Sequence, residues 1–369
     1  MKQIILSILA MVLSLSSMAQ NKYNWLSFRG NSKLTGITEA SIPKAPKLLW
    51  TYKTDDAIKS SPIISNGTVF VGSNDGKMYA ISKDGELKWT FDAKTSVEAS
   101  PLYLDGNIYI GSLEGNFYCL NATTGEQKWK YTTDGQISGS ASWFYDKNTK
   151  TKKILFGSYD YFLHCVDAKS GKGLWKYESN NYINGAPACD GKVVVFGGCD
   201  GFIHQVDVKT GKAKNKFDIE TYIASSIALD DVRCYFGNHD GEFFCIDYEK
   251  SVIKWKKEGA ISYLASPAIS ADQVIIGAEN RQVYCFDKAS GKIQWQFKTK
   301  NKIEASPVIA GNSVVIGSGD GRIYVLNRKT GQQIWSYEIG RAIVGTPAVV
   351  EGMIVVACMD GSIYAFGEK

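Results

Sequence analysis

Histidine is the scarcest chemically versatile residue in this chain. There are three in 369 residues, at 164, 204 and 239, and none stands in ligand-like spacing with Cys, Asp or Glu. A zinc site is therefore not expected, and no Ser/His/Asp set can be assembled for nucleophilic catalysis. No run of Lys or Arg accompanies the net charge of +5, which removes the electrostatic footprint expected of a nucleic-acid binder. No apolar run approaches the roughly 20 residues of a membrane span. The longest, Ile4 to Leu15, follows Lys2 and precedes Ser17-Met18-Ala19, the order of a signal peptide over residues 1–19. No Cys follows that run, so a lipid anchor is not expected, and the chain reads as exported, periplasmic or secreted. No two cysteines are adjacent, although the chain has 8.

What the chain has instead is repetition. GSGDGRIYVLNRKTGQQIW (317–335) is preceded by GAENRQVYCFDKASGKIQW and, earlier still, by GNHDGEFFCIDYEKSVIKW. The leading Gly recurs at 72, 111, 157, 197, 237, 277 and 317, with Ala357 in the eighth slot. A fixed period near 40 residues marks a repeat architecture. Each unit splits into four strand-like pieces, in the seventh IEASPVIA, SVVIGS, RIYVLN and QQIWSYEI, separated by Gly-rich turns. A phosphate loop would need a helix after the glycines, and a strand follows here. Gly317, Gly319 and Gly321 are read as turn residues supplying positive φ.

Trp50, Trp89, Trp129, Trp175, Trp255, Trp295 and Trp335 occupy one repeat position, and Asn215 takes the eighth. Each Trp is expected to pack between neighbouring units. Trp50 stands ahead of the first full unit, so residues 48–53 are assigned to the outer strand of the last one, a closure that removes an open sheet edge. The expected fold is all-β, an eight-bladed β-propeller of four-stranded antiparallel blades spanning 48–369, behind a leader at 20–47.

Cys119, Cys165, Cys245 and Cys285 share a position that Ala80, Val325 and Ala365 fill elsewhere. With Cys189 and Cys199 they are read as buried free thiols. His164 and His204 replace the Tyr of other units. One ring position holds Lys59, Glu98, Ser138, Asn184, Ala224, Leu264, Glu304 and Val344; Lys59, Glu98 and Glu304 are candidates for an ion or polar ligand at the channel mouth. On the face formed by the outer-to-inner connections, Tyr161 and Arg281 interrupt a Gly position. Together with Tyr159, Asn181, Tyr182, Tyr222 and His239 they form a candidate recognition surface, since Tyr offers contact area at low entropic cost. The insertion DKNTKTKK (146–153) reads as a solvated extension of one hairpin.

The motif Asp/Asn-x-x-x-Gly-x-x-x-Trp, as in DAKSGKGLW and NRKTGQQIW, resembles that of pyrroloquinoline-quinone (PQQ) type propellers. The leader WLSFRGNSKLTG, followed by LLWTYKTDDAIKSSPII, is similar to the start of exported PQQ-like repeat proteins. The resemblance covers 25–367 and implies one of two branches. One is the PQQ- and calcium-dependent quinoprotein oxidoreductases, typically with an adjacent-cysteine disulfide. The other is non-catalytic and includes the propeller lipoprotein of the outer-membrane β-barrel assembly machinery. Without a Cys-Cys pair or long pocket-building insertions, the second is the expectation. That implies an exported, monomeric binding scaffold with no cofactor, no metal and a protein or glycan partner of the cell envelope.

Overall fold

The computed structural model describes residues 21–259 and 261–368; the signal peptide expected at 1–19 lies outside them. Eight sheets form, the first six each from one repeat. Blades one to seven cover residues 63–92, 102–132, 142–178, 188–218, 228–257, 268–298 and 308–338. Blade eight takes its three inner strands from 348–367 and its outermost strand from Lys47–Lys53, which pairs antiparallel with Ser362–Gly367. The closure expected at 48–53 is present, one residue longer.

Burial follows strand position. The second strand of a blade, such as Val193–Gly197, is buried along its whole length because neighbouring blades cover both faces. Outermost strands such as Gly173–Glu178 alternate with solvent. The leading glycines are there for a reason other than turn geometry. Of the three first read as turn residues, only Gly321 has positive φ, at 78°. A Cβ on Gly317 would lie 2.3 Å from Ile343 Cγ2, and one on Gly157 would lie 2.3 Å from Ile183 Cγ2. Close approach of the next connection's branched side chain leaves no room for a Cβ at these two positions; the eighth blade accommodates Ala357 in the slot.

The tryptophans tie blade to blade. Trp50, Trp89, Trp129, Trp175, Trp255 and Trp295 each donate the indole N–H to a main-chain carbonyl of the next blade: Lys83, Ala122, Ala168, Val208, Lys288 and Arg328, at 2.7–3.3 Å. Their rings lie on Gly85, Gly125, Gly171, Gly211, Gly291 and Gly331, where a Cβ would come within 2.8 Å of the indole. Trp335 departs from the expectation. The turn it would meet falls at the seam where the two chain ends join, and it packs instead on Tyr337 and Phe366 with ring centroids 6.2 and 5.6 Å away.

The leader has a structural role that its sequence pattern does not announce. It crosses one end of the ring and, among the described residues, bonds to the innermost strand of blades one, two and four to seven and to the turn after that strand in blade eight. Trp25 exchanges two hydrogen bonds with Ile64, and Leu26 accepts from Tyr103. Ser32, Lys33, Thr35 and Gly36 then accept from Cys189, Leu229, Ile269 and Ile309, and Lys22 and Ser41 accept from Glu351 and Gly352. Ile37–Thr38 adds a parallel fifth strand to blade seven. Arg29, fully buried, donates to the carbonyls of Pro307 at 2.6 Å and Pro267 at 2.8 Å. Burial lowers its pKa to about 9, while the two carbonyls favour the charged form. The expected channel is thereby closed at one end and becomes a well.

Candidate functional site

All eight residues of the sequence-predicted ring, from Lys59 to Val344, line that well, a cavity of about 340 Å³ with Phe28 of the leader in its wall. Below them the small residues at the starts of the inner strands do more than save space. The N–H of Ser61 donates to Ser100 Oγ, Ser100 to Ser140, Ser226 to Ser266, Ser266 to Ser306 and Thr346 to Ser61. Each hydroxyl therefore latches one blade to the next around the axis, satisfying a buried N–H that strand pairing leaves open. The candidate mouth residues are already engaged. Lys59 Nζ lies 2.8 Å from Glu98, and Glu304 lies 2.5 Å from Lys302 Nζ. No group of three or more His, Cys, Asp or Glu among the described residues is placed to hold a metal ion.

The two buried histidines sit in Tyr positions and do the work of Tyr. Tyr79, Tyr324 and Tyr364 each donate to the Asp four residues earlier, at 2.6–2.7 Å. His164 Nε2 reaches Asp160 at 3.0 Å and His204 Nε2 reaches Asp200 at 2.8 Å. Tyr131 and Tyr177 of the preceding blades lie 3.2 and 3.0 Å from the opposite ring nitrogens. Burial alone would raise Asp160 and Asp200. The hydrogen bonds and charge of the histidines outweigh it, and both carboxyls fall below the ordinary carboxylate value.

All eight cysteines are free. Seven are buried; Cys199, expected to be buried, is half-exposed because it stands in the turn before Asp200. Burial pushes the Cys119 and Cys245 thiols to about 11, and Cys189, Cys285 and Cys358 to about 12.

On the open face of the well the predicted tyrosines partly converge. Tyr182 stacks on Tyr159 with centroids 4.7 Å apart and leans on Tyr161 at 5.3 Å. Tyr161 holds φ at 74°, a left-handed conformation in a position that is Gly in most blades, so its placement costs backbone strain of about 1–3 kcal/mol. Asn181 supports the cluster, donating to the Cys199 carbonyl at 3.1 Å and accepting from the Tyr182 N–H at 2.8 Å. In the next blade the Tyr222 carbonyl accepts from the His239 N–H at 3.1 Å. Arg281 is not brought in: no hydrogen bond, ion pair or ring contact joins it to the tyrosines. Ile261, which sequence reasoning passed over, stands on the next outer-to-inner connection of the same face and is 68% exposed; Tyr222 is 55% exposed, and Tyr161 and Tyr182 41% each.

Two family models match. One, described as the β-propeller of the beta-alanine-activating enzyme, covers residues 147–368; the other, described as outer membrane protein assembly factor BamB, covers 43–214. No curated protein sequence matches. Among solved structures the fold is similar to BamB from Moraxella catarrhalis (TM-score 0.74, 20% identity, 88% of this chain and 98% of that one). It is also similar to the quinohemoprotein alcohol dehydrogenase of Comamonas testosteroni (0.80, 15%, 94% and 81%). A europium-containing methanol dehydrogenase is similar as well (0.78, 13%, 97% and 100%). No helix among the described residues is long and apolar enough to cross a membrane.

Proposed function

This chain belongs to the PQQ-like β-propeller repeat proteins, and from that premise we propose that it is an exported, non-enzymatic propeller that binds a protein of the cell envelope through the tyrosine arc. The observation that carries the reading is the row of exposed apolar side chains Tyr161, Tyr182, Tyr222 and Ile261 on consecutive blades of one face. Contiguous exposed apolar area is uncommon on a monomer and marks interaction sites, and stacked tyrosines lose little entropy on contact. The match of 43–214 to an outer membrane assembly factor supports an envelope partner and a periplasmic location.

The well does not fit the quinone cofactor of the dehydrogenase branch. A tricarboxylate with calcium needs converging cations and a free set of oxygen ligands. Here the one lysine of the well is paired with Glu98, and Glu304 with Lys302.

The test is photo-crosslinking from positions 161 and 182 in envelope preparations, with position 209 on the other end of the ring as control. Adducts with one protein from the arc alone are expected, lost in the folded Tyr161→Ala/Tyr182→Ala variant. Equal adducts from all three positions would remove the proposal.

A further inference from the structure

Two seams between neighbouring blades pair one cation with one carboxylate. Lys288 lies 2.7 Å from Asp230 between blades five and six, and Arg328 lies 3.2 Å from Asp272 between six and seven. The seam between blades two and three begins in the same way, with Lys152 2.7 Å from Asp105. It then gathers Lys128, Lys150 and Lys169 around the same cavity of about 540 Å³, in whose walls Asp105 is the one carboxylate.

The excess charge traces to the repeat itself. The step from Gly111 to Gly157 is its one long spacing, and the added residues lengthen the first hairpin of blade three. Strands Ser142–Asp146 and Thr151–Gly157 stand where blade four has Ala188–Cys189 and Val193–Gly197. This hairpin, expected to be no more than a solvated extension, brings Tyr145, Lys150 and Lys152 to the cavity. Lys153, on the opposite face of the strand, is buried against Asp167 at 3.0 Å.

Lys128 donates to the neutral side chain of Asn107 at 2.6 Å. Lys150 and Lys169 make no side-chain hydrogen bond or ion pair among the described residues. Three positive charges thus share one concavity without a carboxylate of their own, and their repulsion falls when an anion enters. The walls select the anion. No Arg lines the cavity to take a planar carboxylate on its fork. Lysines from the outer strand of blade two, the long hairpin and the turn after Asp167 offer point charges from separate elements, which suits a tetrahedral, doubly charged phosphate. The remaining wall is apolar, formed by the buried Tyr109, Cys119 and Ala168 and by the exposed ring of Tyr145. Tyr109 already donates its hydroxyl to the Ala168 carbonyl at 3.0 Å. A bare phosphate ion would leave that wall wet, whereas a ring with C–H faces covers it.

We propose that the seam between blades two and three binds a phosphorylated polyhydroxy ring, a sugar or cyclitol phosphate. The lysines hold the phosphate and Tyr145 lies against the ring. The cavity opens at the end of the propeller opposite the outer-to-inner connections that carry the tyrosine arc, so it stands or falls separately from the function proposed above.

The test is calorimetric titration of the whole chain at low ionic strength with glucose 1,6-bisphosphate, beside flotation with phosphatidylcholine vesicles containing phosphatidylinositol 4-phosphate. Binding of the soluble ester identifies a free sugar phosphate as the source, and binding to the vesicles alone a lipid headgroup. A loss of roughly tenfold is expected in Lys150→Gln/Lys169→Gln, where two unpaired, exposed side chains are neutralised. No loss is expected in Lys209→Gln/Lys212→Gln, which removes the same charge from the corresponding turn of blade four. Inorganic phosphate should bind more weakly than the ester, and Tyr145→Ala should abolish that difference. The proposal is overturned if neither probe binds or if both double variants lose equally. Binding of hexaglutamate, or of phosphatidylglycerol vesicles, as tightly as the phosphate esters would also overturn it, leaving only a basic surface.

Discussion

Trp295 and Trp335 occupy the same repeat position, yet truncation of each should cost different amounts. Trp295 is 7% exposed, donates to the Arg328 carbonyl at 2.7 Å and covers Gly331. Trp295→Ala removes that hydrogen bond and leaves a cavity between blades six and seven, a loss of about 3–5 kcal/mol. Trp335 is half-buried, its indole N–H makes no hydrogen bond among the described residues, and its contacts are Tyr337 and Phe366. Losing part of one aromatic face there should cost about 1–2 kcal/mol. With an unfolding entropy of about 2.1 cal/mol/K per residue over some 350 residues, 1 kcal/mol moves Tm by roughly 1.4 °C. Trp295→Ala should then lower Tm by about 4–7 °C and Trp335→Ala by about 1.5–3 °C. Calorimetry at one protein concentration and scan rate reads both. Equal shifts, or a larger one for Trp335→Ala, would refute the claim that the carbonyl-and-glycine seat provides the difference.

Arg29→Ala should destabilise the chain by about 3 kcal/mol or more, since two charge-assisted bonds vanish and the Pro267 and Pro307 carbonyls lose their donor; hydrogen exchange at Cys189, Leu229 and Ile269 should quicken with it. Asp160 and Asp200 have folded pKa values below their unfolded ones. Their contribution is therefore complete above the unfolded carboxylate value near pH 4 and is lost as pH falls through the lower folded value. A Tm profile from neutral to acid pH should fall less steeply at its acid end in Asp160→Asn/Asp200→Asn than in the unaltered chain. A thiol reagent at pH 8 should modify Cys199 first in the native protein, and all eight only after denaturation, because burial raises the pKa of the others and shields them.

The propeller was legible because eight spaced copies vote on every position: a Trp at 175 alone says little, while seven at one phase define a blade. Closure by 48–53 followed from counting a Trp without a blade. The leader's course was not legible, since Ser32, Lys33, Thr35 and Gly36 bond through main-chain carbonyls that any residue carries. The glycines were misread because positive φ and close approach both select Gly, and only coordinates separate Gly317 from Gly321. Of the tyrosine arc, repeat counting found the residues on one face but could not tell that Tyr182 stacks on Tyr159 while Arg281 stays apart. The lysine-lined seam was half visible. The insertion at 146–153 stood out against the regular period, but Lys128 and Lys169 gained meaning only once blade order set them around the same space.

Lys22, Ser41 and the strand at 47–53 are made before any blade is complete, yet their partners at 351–352 and 362–367 are made only after seven blades have followed. A nascent chain can stack blades in order and dock the leader onto each as it forms, but the strand at 47–53 must stay unpaired until the final repeat exists. Ring completion is thus the terminal event of folding, with the longest contacts in the molecule made last. A chain cut short anywhere in its last repeat would leave a face of blade one and of blade seven uncovered and the strand at 47–53 without its full partner. It would be marked as unfinished by those bare strands rather than by any local defect.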